Sequence, residues 1–379
     1  MAPVPDHTTN NQTRGEANVQ QGKAKVKLGG VSRSMLSCLW GRAQLSKKYS
    51  SLFCDEKAIE LVEKIDYDDL AASDDGPPDG LQLSFFQVAQ QLDLPLFGLF
   101  TLRARQFDKM ARKYIAAHPR ASIVNLGAGL DTTFYRVDNG LIHWYDLDLP
   151  EVIDVRRELL PEPDRVTYIA KSIFDPGWCN EVRRTDEGVF MVAGGVLHWF
   201  DESQVKQFFS MLADNFDGGE IVFSALSLRD DYFGWWGEDI LSSEQLEAVK
   251  AALFDTIRGW WINAPQDEKQ KLNEAIATLD LPTKPKGETW ADLEAWWDQL
   301  SDNEQVVVMR DLSNSFRSGA LTWALEDARE IEKWDSRITV IEQLPMFKDI
   351  PRDSLDADMR RFMDYSDERG TSSIVHLRV

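Results

Sequence analysis

The chain has 379 residues, of which 43% are hydrophobic, and a formal net charge of −21. This length and apolar content can bury a large core, so we expect a globular protein made of one large domain with an insertion or of two ordinary domains. The negative charge would repel phosphate backbones, which argues against nucleic-acid binding and favours small-molecule or basic partners.

Membrane and secretory segments are not expected. The sequence has no apolar run near the roughly 20 residues that a membrane helix requires, and its N-terminus is too polar for a signal peptide. The cysteines Cys38, Cys54 and Cys179 lie far apart without CxxC spacing, so neither a disulfide framework nor a zinc site is predicted. We therefore expect a cytoplasmic monomer or homodimer with reduced thiols, no metal and no membrane partner.

The first third of the chain is predicted to be helical after a polar arm. Residues 1–29 are rich in Asn, Gln, Gly, Thr and Lys, so we expect a disordered arm there. A helical pattern starts near Val31 and continues through residues 54–65. After the loop "SDDGPPDG", a further helix is predicted over residues 100–118.

Short apolar segments then alternate with helical ones. Five strands are predicted at "SIVNLG", "IHWYDLD", "VTYIAKS", "GVFMVAGG" and "GEIVFSAL", and two more at "ITVIEQL" and "SSIVHLRV". This alternation indicates an α/β domain, a seven-stranded parallel sheet with helices on both faces, formed by residues 30–231 and 317–379. Residues 232–316 do not follow this alternation of strands and helices and are predicted to be a helical insertion after the fifth strand.

A glycine-rich turn follows the first predicted strand. Gly127 and Gly129 would let the backbone approach a ligand at the carboxyl edge of the sheet. Asp148 ends the second strand, 21 residues after Gly127, where a carboxylate can accept hydrogen bonds from both hydroxyls of a ribose. Asp131 beside the turn would repel a pyrophosphate, so a cationic ligand without phosphate, such as S-adenosylmethionine, fits better than NAD.

Four segments carry a family resemblance. "IVNLGAGLDTTFYR", "DLDLPEVI", "LRARQFD" and "AGGVLHWF" together resemble the leucine carboxyl methyltransferase family over residues 31–227 and 323–379. The resemblance implies an S-adenosylmethionine-dependent methyltransferase with a Rossmann-like, seven-stranded class I sheet. Gly194 stands where the protein phosphatase methyltransferases have a glutamate, so the chain is more similar to the tetracenomycin-type carboxyl O-methyltransferases of secondary metabolism.

The resemblance also implies a set of site residues. Arg105, with Arg103 as the alternative, would pair with the methionine carboxylate, and Asp148 would bind the ribose. Further cofactor contacts would come from Asn125, Gly127, Ala128, Gly129, Asp131, Leu149, Ser172, Ile173 and Gly194. Arg42 would face the methionine or acceptor carboxylate. Apart from the resemblance, Tyr232, Trp235 and Trp236 follow the fifth strand and border the mouth of the site, so they are expected to contact the acceptor, and His198, after the fourth strand, would act as a base or position the acceptor.

Several of these assignments have a structural alternative. Asp131 can equally cap the helix that follows it, because Asp is a common N-cap residue. His198 can equally be a hydrogen-bonded wall residue, and the tryptophan pairs can equally pack helices together. The insertion is a lid candidate beside the acceptor pocket, or else a helical appendage or an oligomer interface.

Three functions stay open at this stage. A carboxylate acceptor is ionised at neutral pH and needs no base, only a cation to hold it. O-methylation of a small secondary-metabolite acid is therefore the favoured function. A phenolic or hydroxyl acceptor would need a base such as His198. The third alternative is a non-catalytic cofactor-binding scaffold whose insertion recruits a partner.

Overall fold

The computed structural model describes residues 24, 26, 34–65, 96–183, 185–227, 242–315 and 322–379. The chain begins there with two helices, α1 (Ser34–Lys48) and α2 (Glu56–Lys64). The sequence predicts one continuous helix over this stretch, but residues 49–55 form a turn because the side chain of Asp55 caps α2 by accepting a hydrogen bond from the N–H of Ala58. This turn becomes important at the functional site.

Two residues of the predicted disordered arm, Ala24 and Val26, have contacts with the two helices. The N–H of Ala24 donates to the carbonyl of Lys64 at 2.7 Å, and Val26 is buried in a small core with α1 and α2. The remainder of residues 1–29 lies outside the described part of the chain.

All seven predicted strands are confirmed. They are β1 (Ser122–Leu126), β2 (His143–Asp148), β3 (Val166–Ala170), β4 (Val189–Ala193), β5 (Glu220–Leu226), β6 (Thr339–Pro345) and β7 (Ser372–Arg378). Their order in the sheet is β3-β2-β1-β4-β5-β7-β6. The first five strands are parallel, while β7 runs antiparallel to both β5 and β6.

Helices cover both faces of the sheet, as predicted. Helix α3 (Leu96–Ala117), the short α4 (Thr133–Val137) and, later in the chain, a helix over Ala357–Arg369 pack on one face, where Ile123, Trp144 and Phe190 point. On the other face, α6 (Glu202–Asn215) packs against Val124, Leu147 and Phe223. Strand β1 is therefore buried along its whole length, including its two polar residues Ser122 and Asn125, and its apolar side chains point to both faces.

The remaining helices connect and extend this domain. Helix α5 (Pro150–Leu159) joins β2 to β3. The described part of the insertion contains four helices, α7 (Ser243–Asn263), α8 (Gln266–Thr278), α9 (Trp290–Trp297) and α10 (Asp302–Ser315). Helix α11 (Arg329–Glu332) precedes β6, and helix α12 (Ala357–Arg369) follows it. None of the described helices has the length and apolar character needed to cross a membrane.

The insertion has a tryptophan-rich interior. Trp261, Trp296 and Trp297 are buried, and their core is continuous with that of α12. Phe254 stacks on Trp297 with ring centroids 4.9 Å apart. In these pairs the tryptophans pack helices together, which was one of the two alternatives for them.

Candidate functional site

The order of the strands locates the ligand crevice. From β1 the chain winds outward to β2 and β3 and then returns to β4 on the other side of β1. Helices therefore leave the sheet in opposite directions from β1 and β4, which opens a crevice at their carboxyl ends. The glycine-rich turn after β1 and the "AGG" segment after β4 both lie at this edge.

The glycine turn has a conformation that other residues rarely adopt. Gly127 and Gly129 have φ values of 62° and 47°, both in the left-handed region. A Cβ atom added to Gly127 would lie 2.6 Å from Cγ2 of Val196, across the crevice, and one on Gly129 would lie 3.0 Å from Cβ of Met35 in α1. Both the backbone conformation and the neighbouring side chains of Val196 and Met35 therefore exclude a side chain at these two positions.

Asp148 faces this turn from the end of β2. Its carboxylate accepts hydrogen bonds from the N–H groups of Gly129 and Leu149, both at 2.7 Å. Burial raises the pKa of Asp148, although these two hydrogen bonds act in the opposite direction. The half-buried carboxylate oxygens retain lone pairs, so the position suits a hydroxyl-bearing ligand such as a ribose.

A buried ion pair supports the turn from below. Asp146 accepts hydrogen bonds from Arg156 at 2.6 Å, from Asn125 at 2.9 Å and from the indole of Trp144 at 2.8 Å. Arg156 also donates to the carbonyl of Gly129 at 2.8 Å. Asn125, predicted to contact the cofactor, is buried in this network, so its amide shapes the site from beneath.

The two candidate arginines of α3 point in different directions. Arg103 donates to the carbonyl of Gly194 at 3.3 Å, and a Cβ atom on Gly195 would lie 2.5 Å from its Nη2. Arg105 instead donates to the carbonyl of Asp349 at 3.3 Å, after β6. Arg103 therefore lies beside the crevice and Arg105 lies against the segment after β6, and the pairing of either arginine with the methionine carboxylate stays a prediction.

The segment after β4 forms the opposite wall. Gly195 has a φ of 82°, and its N–H donates to the hydroxyl of Ser224 in β5 at 2.9 Å. His198 is buried in a single helical turn after β4, with its ring 5.1 Å from that of Trp199. Its carbonyl accepts a hydrogen bond from the N–H of Thr322 at 2.9 Å. His198 thus lies at the correct edge of the sheet, within a tightly packed wall.

Three further predicted cofactor contacts, Leu149, Ser172 and Ile173, lie after β2 and β3. The main chain joins these segments, because the N–H of Lys171 donates to the carbonyl of Asp148 at 2.9 Å. Ser172 accepts a hydrogen bond from the N–H of Phe174 at 3.2 Å, and Ile173 is buried. Leu149 is exposed despite its apolar side chain. The structure brings Leu149, Ser172 and Asp148 together at one edge, beside the glycine turn.

Arg42 and Asp131 have structural partners. Arg42 is buried, with Nε 3.2 Å from Asp55 and Nη2 donating to the carbonyl of Leu130 at 2.7 Å. Asp131 accepts from the N–H of Thr133 at 2.8 Å, at the start of α4. Burial opposes ionisation of Asp131, but the guanidinium groups of Arg42 and Arg136 hold its pKa below the ordinary value. Arg42 thus braces the glycine turn, and a contact with the acceptor stays a prediction.

The other predicted acceptor residues, Tyr232, Trp235 and Trp236, lie outside the described residues. The sequence reasoning also missed residues that shape the site. A buried hydrogen-bond network beside the turn is formed by Asp55, Thr132 and Arg136. The side chains of Met35 and Val196 pack against the glycines of the turn. The one available signal was Asp55 itself, since Asp at the start of an amphipathic segment is typical of a helix N-cap.

These residues fit S-adenosylmethionine. The crevice offers main chain at its floor, a carboxylate for a diol and a guanidinium for a carboxylate, but the acids beside the turn oppose a pyrophosphate. Among the described residues, there is no group of His, Cys, Asp or Glu side chains arranged to hold a metal ion.

Comparisons with known proteins agree with this geometry. The leucine carboxyl methyltransferase family model matches residues 36–212. The tetracenomycin polyketide synthesis O-methyltransferase TcmP of Streptomyces glaucescens is 27% identical over 263 residues, which are 68% of this chain and 86% of that protein. The S-adenosyl-L-methionine-dependent methyltransferase dpfgK of Gibberella zeae is 26% identical over 216 residues, 54% of this chain and 68% of that protein.

Among solved structures, the crystal structure of a DUF574 family protein from Streptomyces avermitilis has 11% identity, a TM-score of 0.43, and coverage of 81% of this chain and 92% of that one. The family match includes Arg103, the glycine turn, Asp148 and His198. The predicted family resemblance, the enzyme class and the cofactor are confirmed. The chain is an S-adenosylmethionine-dependent methyltransferase, and its residues 36–212 are similar to the leucine carboxyl methyltransferase family.

Proposed function

We propose that this chain is a cytoplasmic enzyme that methylates a carboxylate oxygen of a small organic acid of secondary metabolism. The observation that carries the proposal is the left-handed glycine turn held against Asp148 at the crevice between β1 and β4. The name of the Streptomyces relative, an O-methyltransferase of polyketide synthesis, supports an oxygen atom of a small molecule as the acceptor.

The cofactor-binding residues act by placement. Asp148 accepts hydrogen bonds from the ribose hydroxyls, and Arg103 pairs with the methionine carboxylate. Leu149, Ser172 and Ile173 border the adenine. When bound, S-adenosylmethionine supplies a methyl group that is already electrophilic, so the protein mainly aligns the acceptor and excludes water.

The choice of a carboxylate follows from what the described residues can supply. A carboxylate is ionised at neutral pH, so its oxygen attacks without loss of a proton. A phenol has a pKa near 10 and requires a base. His198, buried beside Trp199, is the candidate base at this edge for a phenol, whereas a carboxylate acceptor needs no base.

A phenolic acceptor is the second candidate, because His198 does lie after β4, where acceptor-side residues occur in such sheets. The two acceptors yield different products. We therefore propose incubation with methyl-labelled S-adenosylmethionine and a metabolite extract, followed by mild alkaline treatment. A methyl ester releases labelled methanol, whereas a methyl ether retains its label.

The His198→Ala variant provides the second measurement. If the acceptor is a carboxylate, turnover should persist across neutral pH. A loss of turnover that is recovered at high pH, together with an alkali-stable product, would establish the phenol instead. Release of labelled methanol by alkali from wild-type product is the result that the carboxylate proposal requires.

We also propose that the helical insertion covers the acceptor. It leaves the sheet after β5, whose carboxyl end opens on the crevice, and Gln245 at its start hydrogen-bonds to Asp358 of α12 at 2.9 Å. Its described tryptophans pack in its own interior, so Tyr232, Trp235 and Trp236 at its beginning are the candidates for contact with the acceptor. A lid of this kind would exclude water from the transfer.

A further inference from the structure

One carboxylate oxygen of Asp55 accepts three hydrogen bonds. Its Oδ2 accepts from Arg136 at 2.6 Å, from the hydroxyl of Thr132 at 2.6 Å and from Arg42 at 3.2 Å. Its Oδ1 accepts from the N–H of Ala58 at 2.9 Å and so caps α2. Asp55 is 1% exposed, which means that capping a surface helix accounts for only one of its two oxygens.

The three donors to Oδ2 come from both sides of the glycine turn. Thr132 and Arg136 belong to the segment that leaves the turn, whereas Arg42 belongs to α1, which covers it. Arg42 also donates to the carbonyl of Leu130, the residue after Gly129, at 2.7 Å. Asp55 therefore joins the covering helix to the segment that leads out of the turn.

The position of α1 matters to the turn itself. Met35, near the start of this helix, lies against Gly129, where an added Cβ would approach it to 3.0 Å. Leu130 is buried in a small core with Leu36 and Leu39 of α1 and with α2. Any movement of α1 therefore changes the space above Gly129, whose N–H binds Asp148.

Asp108 provides an internal comparison. It is also buried, and it binds the same Arg136 through two hydrogen bonds of 2.8 and 3.0 Å. Its described hydrogen bonds, however, involve neither Arg42 nor Thr132. The two carboxylates are thus alike in burial and in their arginine partner, but only Asp55 connects α1 to the glycine turn.

We infer that Asp55 is a positioning residue that holds the glycine turn and its covering helix in the cofactor-binding arrangement, and so sets the affinity for S-adenosylmethionine without touching it. The physical reason is preorganisation, since a turn fixed before binding does not have to be ordered by the ligand. This inference rests on the cofactor site of the proposed function.

The test compares Asp55→Asn with Asp108→Asn. In Asp55→Asn, the amide can still cap Ala58 through its oxygen, but its nitrogen faces three donors. We expect both variants to unfold at lower temperature, because each leaves a buried guanidinium with less charge compensation. Titration calorimetry should show S-adenosylmethionine affinity reduced about tenfold or more in Asp55→Asn but within about threefold of wild type in Asp108→Asn.

Thr132→Val tests the inference with a smaller change. It removes the hydrogen bond that the Thr132 hydroxyl donates to Asp55 and the one that it accepts from Arg136 at 3.1 Å, while retaining both carboxylates and the shape of the side chain. We expect a fold that survives and an affinity for S-adenosylmethionine that falls about threefold to tenfold. Wild-type affinity in both Thr132→Val and Asp55→Asn would overturn the inference, and so would equal losses of affinity in the Asp55 and Asp108 variants.

Asp148→Ala separates this inference from the proposed site. If that variant loses cofactor binding while Asp55→Asn binds normally, the site is correct and the positioning role is wrong. If Asp148→Ala binds like wild type, the site itself is misplaced and the inference falls with it.

Discussion

Gly127→Ala tests the geometry of the crevice most directly. Gly127 has a φ of 62°, and a left-handed backbone costs a residue with a side chain about 1–2 kcal/mol. The new Cβ would also lie 2.6 Å from Cγ2 of Val196, well inside the usual contact of about 3.5–4.0 Å between carbon atoms. Val196 is buried, so relief of this overlap should cost about a further 1–3 kcal/mol.

Together, the backbone cost and the overlap should lower the free energy of unfolding by about 2–5 kcal/mol. This is a large part of the total free energy of unfolding of a typical protein, which is about 5–15 kcal/mol. Gly140→Ala is the matched control. Gly140 has a φ of 81° but no atom within 4 Å of an added Cβ, so it isolates the backbone term of about 1–2 kcal/mol. Gly218, at a φ of 77° and equally open, offers a second control.

Denaturant titration measures the stability of each variant, and titration calorimetry measures cofactor binding. We expect Gly127→Ala to lose more stability than either control and to bind S-adenosylmethionine at least about tenfold more weakly. The controls should bind like wild type. If Gly127→Ala is no less stable than Gly140→Ala and binds the cofactor normally, then Val196 does not close on this turn and the crevice is wrongly described.

Further predictions concern the other parts of the site. Asp148→Ala should weaken S-adenosylmethionine binding about tenfold or more, because ribose hydroxyls lose their acceptor; unchanged affinity by calorimetry would contradict the ribose role. In the wild type, the pKa of Asp148 lies above the ordinary 3.8, and binding requires the ionised form, so affinity should fall on acidification at a higher pH than an ordinary aspartate would give. A profile that stays flat down to about pH 4 would contradict this. Arg103→Lys should weaken binding because lysine lacks the planar fork, while Arg105→Lys should leave it nearly unchanged; the opposite order would restore Arg105 to the cofactor. Replacement of residues 240–310 by a short Gly/Ser linker should spare cofactor binding but abolish turnover or broaden the choice of acceptor, and unchanged turnover of the same acceptor would leave the insertion as an appendage.

Local patterns in the sequence were sufficient for the seven strands and the glycine turn. A strand buried on both faces is mostly apolar, so the adjacent apolar residues Ile123 and Val124 of "SIVNL", which point to opposite faces, indicate burial on both sides. Two glycines directly after such a strand indicate a backbone that a side chain would obstruct, and both indeed have positive φ. Asp148 followed in the same way, because the end of a parallel strand places it at the ligand edge.

The choice between Arg103 and Arg105 required the tertiary structure. Residues two positions apart on a helix point about 200° away from each other. Only one of the two can face the crevice, and which one does depends on how α3 rests against β4. The motif "RAR" does not reveal the rotation of α3 about its axis. The contacts of Arg103 with Gly194 and of Arg105 with Asp349 show this rotation.

The support of the site depended on tertiary structure even more strongly. Arg42, Asp55 and Arg136 are far apart in the chain and meet only because α1, α2 and α4 converge beside the glycine turn. No periodicity or spacing encodes such a meeting, since each side chain is an ordinary surface type in its own segment. The sequence by itself determined the strands and the glycine turn that we propose as the cofactor site, because these follow from local backbone conformation and burial. Only the packing of distant helices decided which charged side chains hold that turn in place.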